Sequence, residues 1–516
     1  MKKTYFKGFA LAAAASAALL AAMPSASSAK EITVAVSATF TTLDPYDAPD
    51  ILTRLAAKSM YEGLFYFDSK MQLVPELAEG YTVTPDAKVF TVTLKKGVKF
   101  HDGTEFTADA VKMNFDRLLN PDNHLSRYQV YKFIDKVEVV DPYTVRFTLK
   151  SPLATFPRRL AMTSPQMMCP SLIKDAKGVE GKKITAFNAC GTGPYKLEFF
   201  NPSEKLVVKK NPDYRVKGLP QLDGITWLPV VENSTRAAML HTGEAQYAFP
   251  MPNEQIATFK NDPKFRIETV PSIMQRYLSI NTTVKPFNDV RVRQAINYAI
   301  NKQALAKVAF AGYAVPTATI YPEEIPGAVK LGPWPYDPKK ARELLKEAGY
   351  PNGFTTDLWS GYANTTSSKV IQFIQQQLAQ VGIKTRTRML EPGVRASVVY
   401  GVKNPAESGL RLYYIGWADA SMDPDWVLRP LLDSRQTPPK FMNTSYYSNP
   451  KAPPSRISGA SSPGMSARDA QKMVWNDAPW AYLVYEVGTA GSDARLVNFT
   501  LRPDTGIDFI NAEWKE

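Results

Sequence analysis

The opening of this chain decides where the rest of it must fold. Lys2, Lys3 and Lys7 form a basic head, Phe9 to Met23 is rich in alanine and leucine, and Ser27-Ser28-Ala29 offers small residues for cleavage. This is the pattern of a cleavable export signal over residues 1–29, which places the mature chain, from Lys30 onward, outside the cytoplasm. A membrane anchor needs about twenty apolar residues. Here the apolar stretch is shorter and ends in Pro24 and serines instead of positive charge. No cysteine stands at the cleavage point to carry a lipid. In a cell with an outer membrane, the expected product is a soluble periplasmic protein.

A mature chain of about 490 residues exceeds the size at which one hydrophobic core stops growing, so two or three domains are expected. No later stretch is long and apolar enough to span a bilayer. The formal charge of +13 falls to +10 once the three signal lysines are removed. The remaining lysines and arginines are scattered, without the basic stripe that nucleic acid requires, and nucleic acid is not an expected partner. Two cysteines, Cys169 and Cys190, are the only ones present. In an oxidising compartment they are expected to form one disulfide, worth about 3 kcal/mol by the chain-entropy account. Zinc would need four ligands, and His101, His124 and His241 show no ligand spacing with one another or with the cysteines, so no metal is expected.

Apolar and polar residues alternate over Glu31–Val36 and Val89–Leu94, predicting half-buried strands. Asp337-Pro338 predicts a capped helix start ahead of Lys339 to Ala348, closed by Gly349 and Pro351. A second helix is predicted over Phe106 to Leu119, with Thr107 and Asp109 at its start. A third is predicted over Val290 to Val308, with Val292, Ile296, Ile300 and Leu305 on one face. Interspersed strands and helices point to an α/β or α+β architecture. Proline-rich connectors fall at Pro250 to Pro252, Pro316 to Pro335 and Pro438-Pro439, and no internal repeat is visible.

The run Leu94 to Asp109, LKKGVKFHDGTEFTAD, resembles the diagnostic segment of the family 5 extracellular solute-binding proteins of ABC importers, the peptide- and nickel-binding group. Leu43-Asp44-Pro45, Tyr61 to Leu64, Pro75 to Glu79, Gly191 to Tyr195, Val292 to Ile300 and Gly416-Trp417 occur in the order used by that family. Each is weak alone; their ordered combination is strong. Their residue types are those of turns and caps, so the motifs are read as scaffold. The resemblance implies an α/β, two-lobed periplasmic binding protein of the class II, cluster C type, with a third domain and a ligand cleft between the lobes. On that pattern 30–70, 190–270 and 485–516 form one discontinuous lobe, 71–189 an extra domain packed on it, and 271–484 the second lobe.

Further segments resemble the glutathione-binding branch of the family: Ile225 to Pro229, Thr235 to Gln246, Ser272 to Tyr277, Val308 to Tyr313 and Pro333 to Pro338. This implies glutathione as the solute, a membrane permease as partner, a monomeric chain and no cofactor. Glutathione carries two carboxylates, an ammonium, two amides and a thiol. Its cleft should supply an arginine for a carboxylate, an acid for the amine and aromatic walls. Arg276 is the first candidate for the carboxylate, with a salt bridge on the surface or between lobes as its equally weighted alternative. Arg395 is the second candidate, and Arg236, in a helical pattern, is read as fold support. The segment Gly416 to Trp426, GWADASMDPDW, is the richest, because peptide-binding relatives use this region to supply an acid to the peptide ammonium. Asp419, Asp423 and Asp425 are the candidates, one or two of them expected to be turn residues or helix caps. Trp417 is a candidate stacking wall, Phe40 and Thr41 candidate cleft residues, and Tyr362 and Asn364 candidate hydrogen-bonding groups.

Between Asn449 and Arg468 the resemblance fails. Relatives carry an amphipathic helix there, whereas Lys451 to Gly464, KAPPSRISGASSPG, opposes a helix with prolines and glycines. The segment is either a genuine loop or a short out-of-frame stretch, and local disorder is expected. Dipeptide, oligopeptide, nickel and haem carriers share the scaffold; scarce histidine argues mildly against a metal cargo. A secreted hydrolase is the alternative from another class. The chain has no Gly-x-Ser-x-Gly elbow or His-Glu-x-x-His motif, so no enzyme activity is expected.

Overall fold

A computed structural model describes residues 30–418, 421–453 and 466–515. The proposed export signal and the greater part of the 451–468 departure lie outside the described residues.

The frame is one eleven-stranded mixed sheet. Glu31–Val36, predicted from its alternation, forms a strand that pairs in parallel with Gly224–Pro229 on one side and Tyr247–Phe249 on the other. Lys205–Lys210 and Tyr195–Asn201 continue this half outward as antiparallel strands. The other half is built from Ile383–Met389, Phe354–Ser360 and Leu412–Ala418, paired in parallel. Two long antiparallel strands, Phe265–Ile280 and Trp480–Asp493, run through both halves and join them. Their pairing slips twice, between Pro271 and Gln275 and between Arg276 and Tyr277. Before the slip, Trp480–Asp493 pairs with Tyr247–Phe249; beyond it, Phe265–Ile280 pairs with Leu412–Ala418. A bulge of this kind bends the strand and increases its local twist, and here the irregularity falls where one half of the sheet gives way to the other.

A separate four-stranded antiparallel sheet is built from Ala78–Val83, Val89–Leu94, Thr144–Leu149 and Ile134–Asp141, in that spatial order. The helix Ala108–Leu119 lies against it and buries Val111, Phe115 and Leu118. Three contacts fix this extra domain to the amino-terminal segment. Arg117 donates to Asp44 at 2.5 Å, Thr185 donates to the same carboxylate oxygen at 2.8 Å, and Lys182 pairs with Asp47 at 3.0 Å. Asp44 belongs to the Leu-Asp-Pro motif, whose role is therefore to anchor domains. The Cys169–Cys190 disulfide is formed, as expected.

Three other family motifs meet at one point. The His101 Nδ1 accepts from the Gly191 amide at 3.2 Å, so its Nε2–H donates to the Gly193 carbonyl at 3.0 Å. A Cβ on Gly191 would stand 2.3 Å from the Met60 carbonyl oxygen, and one on Gly193 2.5 Å from the Met60 carbonyl carbon, so only glycine allows this approach. Burial holds the His101 pKa down to about 4, and the ring is neutral.

The predicted helix at Asp337-Pro338 spans Pro338–Glu347, with the Asp337 carboxylate accepting from the Lys340 amide. The predicted helix Val290 to Val308 is instead two, Val290–Ala299 and Lys302–Phe310. Ile300 adopts extended dihedrals, and the Asn301 side chain accepts from the Ala304 amide, capping a new helix. The apolar face survives the break, since Val292, Ile296, Ile300 and Leu305 are all buried. Among the described residues no helix is long and apolar enough to cross a membrane.

The His101 contact predicts an acid sensitivity. Between about pH 6.5, where an unfolded histidine titrates, and about pH 4, the unfolded chain binds a proton that the folded chain does not, so stability falls as pH falls through this window. Thermal melts should show the wild type losing up to about 3 kcal/mol more than His101→Gln between pH 6.5 and 4; parallel pH profiles would remove His101 from the account.

Candidate functional site

Arg276 sits at the second slip in the long ladder, directly opposite Gly416 of the neighbouring strand. Because Gly416 has no side chain, the guanidinium can lie across the sheet; a Cβ there would stand 2.5 Å from Arg276 Nη1. Arg276 Nε donates to Glu486 Oε1 at 2.6 Å, a contact between the two long strands themselves. Its guanidinium lies 4.7 Å from the centre of the Tyr362 ring. Burial pulls the Arg276 pKa down, but the Glu486 charge, with Tyr362 and Tyr414, outweighs it and raises the pKa above its ordinary value. Nη1 is buried and has no hydrogen-bond partner among the described residues.

The structure brings Tyr362 and Arg395 to the same place. The Arg395 guanidinium lies 6.0 Å from the Tyr362 ring and donates through Nη1 to the Gly361 carbonyl at 2.9 Å. Tyr362 accepts from the Gly416 amide through its hydroxyl at 3.1 Å and packs edge-on against Tyr414. Two guanidinium groups thus lie near one phenol ring, and among the described residues Glu486 pairs with one of them. Among the described residues a single positive charge and the unpartnered Arg276 Nη1 remain, which suits a carboxylate. Glu486 keeps a 28 % exposed side chain. Sequence reasoning missed it, because its partner lies 210 positions away and Glu486 belongs to no motif.

Trp417 and its neighbours form a second group. Successive strand residues point to opposite faces, so Trp417, paired in register with Gln275, faces away from Gly416 and Arg276. Its indole lies 5.7 Å from that of Trp426 and its Nε1 is buried without a partner among the described residues. Asp423 caps the helix Pro424–Leu432 by accepting from the Asp425 amide. Its Oδ2 also accepts from Arg159 at 2.9 Å and from Thr155 at 2.7 Å. Asp425 is held by Arg429 at 2.8 Å and lies 3.6 Å from Arg159. Asp423 and Asp425 are therefore occupied by protein partners, and Asp419 lies outside the described residues.

The remaining candidates are elsewhere. Phe40 packs on Phe200, and Thr41 bonds Asp50 and Thr53, all in the amino-terminal lobe. Asn364 caps the helix Thr365–Ala379 by accepting from the Ser367 amide. Arg236 is buried and donates to the Pro250 and Val230 carbonyls, as fold support requires. A cavity of about 340 Å³, lined by Lys58, Glu62, Lys95, Tyr195, Arg215 and Trp227 among others, includes neither Arg276 nor its neighbours Tyr362, Arg395 and Glu486 in its wall. Asp102, Cys169 and Cys190 are the one metal-like cluster among the described residues, and the two sulfurs are joined to each other.

Residues 72–439 match the model of the bacterial extracellular solute-binding proteins, family 5. The chain is 50 % identical over 511 residues to the glutathione-binding protein GsiB of Salmonella choleraesuis, covering 98 % of each chain. It is similar in structure to the ABC transporter-associated periplasmic binding protein DppA from Helicobacter pylori, solved with the peptide STSA. The TM-score is 0.80 and the identity 26 %, covering 94 % of this chain and 98 % of that one. A dipeptide-binding protein from Pseudoalteromonas sp. SM9913, in complex with Met-Leu, shares the fold at a TM-score of 0.81 and 23 % identity, covering 94 % of this chain and 100 % of the other.

The close approach at Gly416 yields a prediction. Gly416→Ala should displace the Arg276 guanidinium while the chain remains folded, weakening carboxylate binding at least tenfold in a calorimetric titration; affinity unchanged from the wild type would show that Arg276 does not touch the solute.

Proposed function

This chain belongs to the bacterial extracellular solute-binding proteins of family 5, and we propose that it captures glutathione between its lobes and delivers it to the permease of an ABC importer. The observation that carries this reading is the Arg276 group: a buried guanidinium at the joint between lobes, ion-paired through Nε and unpaired at Nη1. The identity to a glutathione-binding protein along almost the whole chain supports the choice of solute.

In this reading 30–70, 190–270 and 485–516 move as one lobe, with 71–189 riding on it, and 271–484 moves as the other. The slip between Pro271 and Gln275 supports a boundary there. Capture occurs in the open form. One glutathione carboxylate takes the free Nη1 of Arg276, with Arg395 adding positive charge from beside the same Tyr362 ring. Asp423 and Asp425 are committed to arginines, so the ammonium is left to Glu486 or Asp419. Closure excludes water and strengthens each of these charge contacts. The closed form is what a permease can distinguish from the empty protein. The chain is exported, acts as a monomer and returns its solute chemically unchanged, because holding and release need no bond to break. A short-peptide carrier is the second reading, favoured by the likeness to a relative solved with the peptide STSA.

The test is calorimetric titration of the mature protein, unfolded and refolded to strip bound solute, with reduced glutathione, oxidised glutathione and a dipeptide panel. The expected result is saturable binding of glutathione at micromolar affinity or tighter, about −8 kcal/mol, with glutathione recovered intact. Heat from dipeptides alone would reject the proposed solute. Arg276→Gln should cost at least about 2 kcal/mol of binding, since it removes a buried charged hydrogen bond to the carboxylate.

A further inference from the structure

The extra domain meets the second lobe at a buried polar cluster centred on Arg159 and Asp423. Arg159, on the short helix Phe156–Leu160, pairs with Asp423 at 2.9 Å, and the two side chains are 3 % and 4 % exposed. Thr155 donates to the same carboxylate oxygen at 2.7 Å, and the indole of Trp426 lies under the guanidinium at 4.6 Å. Arg159 belongs to the body fixed to the amino-terminal segment by Arg117–Asp44, Lys182–Asp47 and the disulfide. Asp423 caps a helix that follows directly on the strand carrying Gly416 and Trp417. The ion pair therefore spans the boundary across which the lobes must separate.

We propose that Arg159 is a positioning residue for solute retention: its ion pair with Asp423 latches the closed form from outside the solute cleft. This rests on the reading that solute is held between the lobes. Opening returns both charges to water, so the pair acts by specifying the closed arrangement: either partner left alone there is a buried, unpaired charge that disfavours closure. Capture takes place before the latch forms, so the latch acts on release and not on encounter. Asp423, expected from sequence to meet the solute ammonium, instead holds the door shut.

The test is a double-mutant cycle on the full mature chain: Arg159→Gln, Asp423→Asn and both together, with Thr155→Val as a milder variant that removes one hydrogen bond. Glutathione dissociation and association are followed by stopped flow. Inter-lobe separation is followed by spin labels at Glu180→Cys and Lys440→Cys, both exposed. Each charge variant should release glutathione about tenfold faster, with association within about twofold of the wild type. The double variant should be no faster than the worse single one. Thr155→Val should move in the same direction by a smaller factor, and label distances with solute bound should shift toward longer separations. Unchanged release rates together with unchanged distances in variants that melt cooperatively would overturn the latch, as would an equal slowing of association. If the wild type fails to bind glutathione, the solute assignment falls, and the latch is judged with the Met-Leu dipeptide as probe by the same distances: longer separations in the variants support it and identical ones overturn it.

Discussion

Everything in this molecule hangs on two antiparallel strands, Phe265–Ile280 and Trp480–Asp493, that belong to both lobes at once. A ladder bends and twists most where it slips. Here the ladder slips at Pro271–Gln275 and again at Arg276–Tyr277, so the irregularity is concentrated at the line where one half of the sheet gives way to the other. Arg276 stands on that line and reaches the opposite strand through Glu486. A charged group placed at a joint feels the joint's movement, which is the geometric requirement for coupling solute capture to closure.

The charges around the joint are divided unevenly. Arg276 and Arg395 share one phenol ring, and a single carboxylate balances them. An incoming carboxylate would complete this arrangement without leaving a buried ion unpaired. At the extra domain the balance runs the other way: Arg159 meets Asp423 closely and Asp425 more distantly, with Arg429 drawing on Asp425. Among the described residues the first group is one carboxylate short, whereas the second sets two arginines against two aspartates, although Arg159 Nε and Nη1 are buried there without hydrogen-bond partners.

Much of the scaffold was legible in the residues. The alternation of Glu31–Val36 and Val89–Leu94 matched their strands, and the motifs around Asp44, His101, Gly191 and Gly193 proved to be contacts between segments far apart in sequence. Periodicity misjudged the helix over 290–308, because the apolar face continues through Ile300 while the Asn301 cap ends one helix and begins another. The site was less legible. Aspartates near Trp417 read equally well as ligands or caps, and only the position of Arg159, 264 residues away, shows Asp423 to be engaged by protein. Glu486 gave no local signal at all, since an ion pair between two strands of a bulged ladder has no sequence spacing to betray it.

The most direct test of the central claim is a crystal structure of the refolded mature protein with glutathione. The account predicts a glutathione carboxylate within about 3 Å of Arg276 Nη1, with the Arg276–Glu486 pair retained. Glutathione held without contact to Arg276, whether elsewhere between the lobes or in the cavity lined by Lys58, Tyr195 and Trp227, would contradict it.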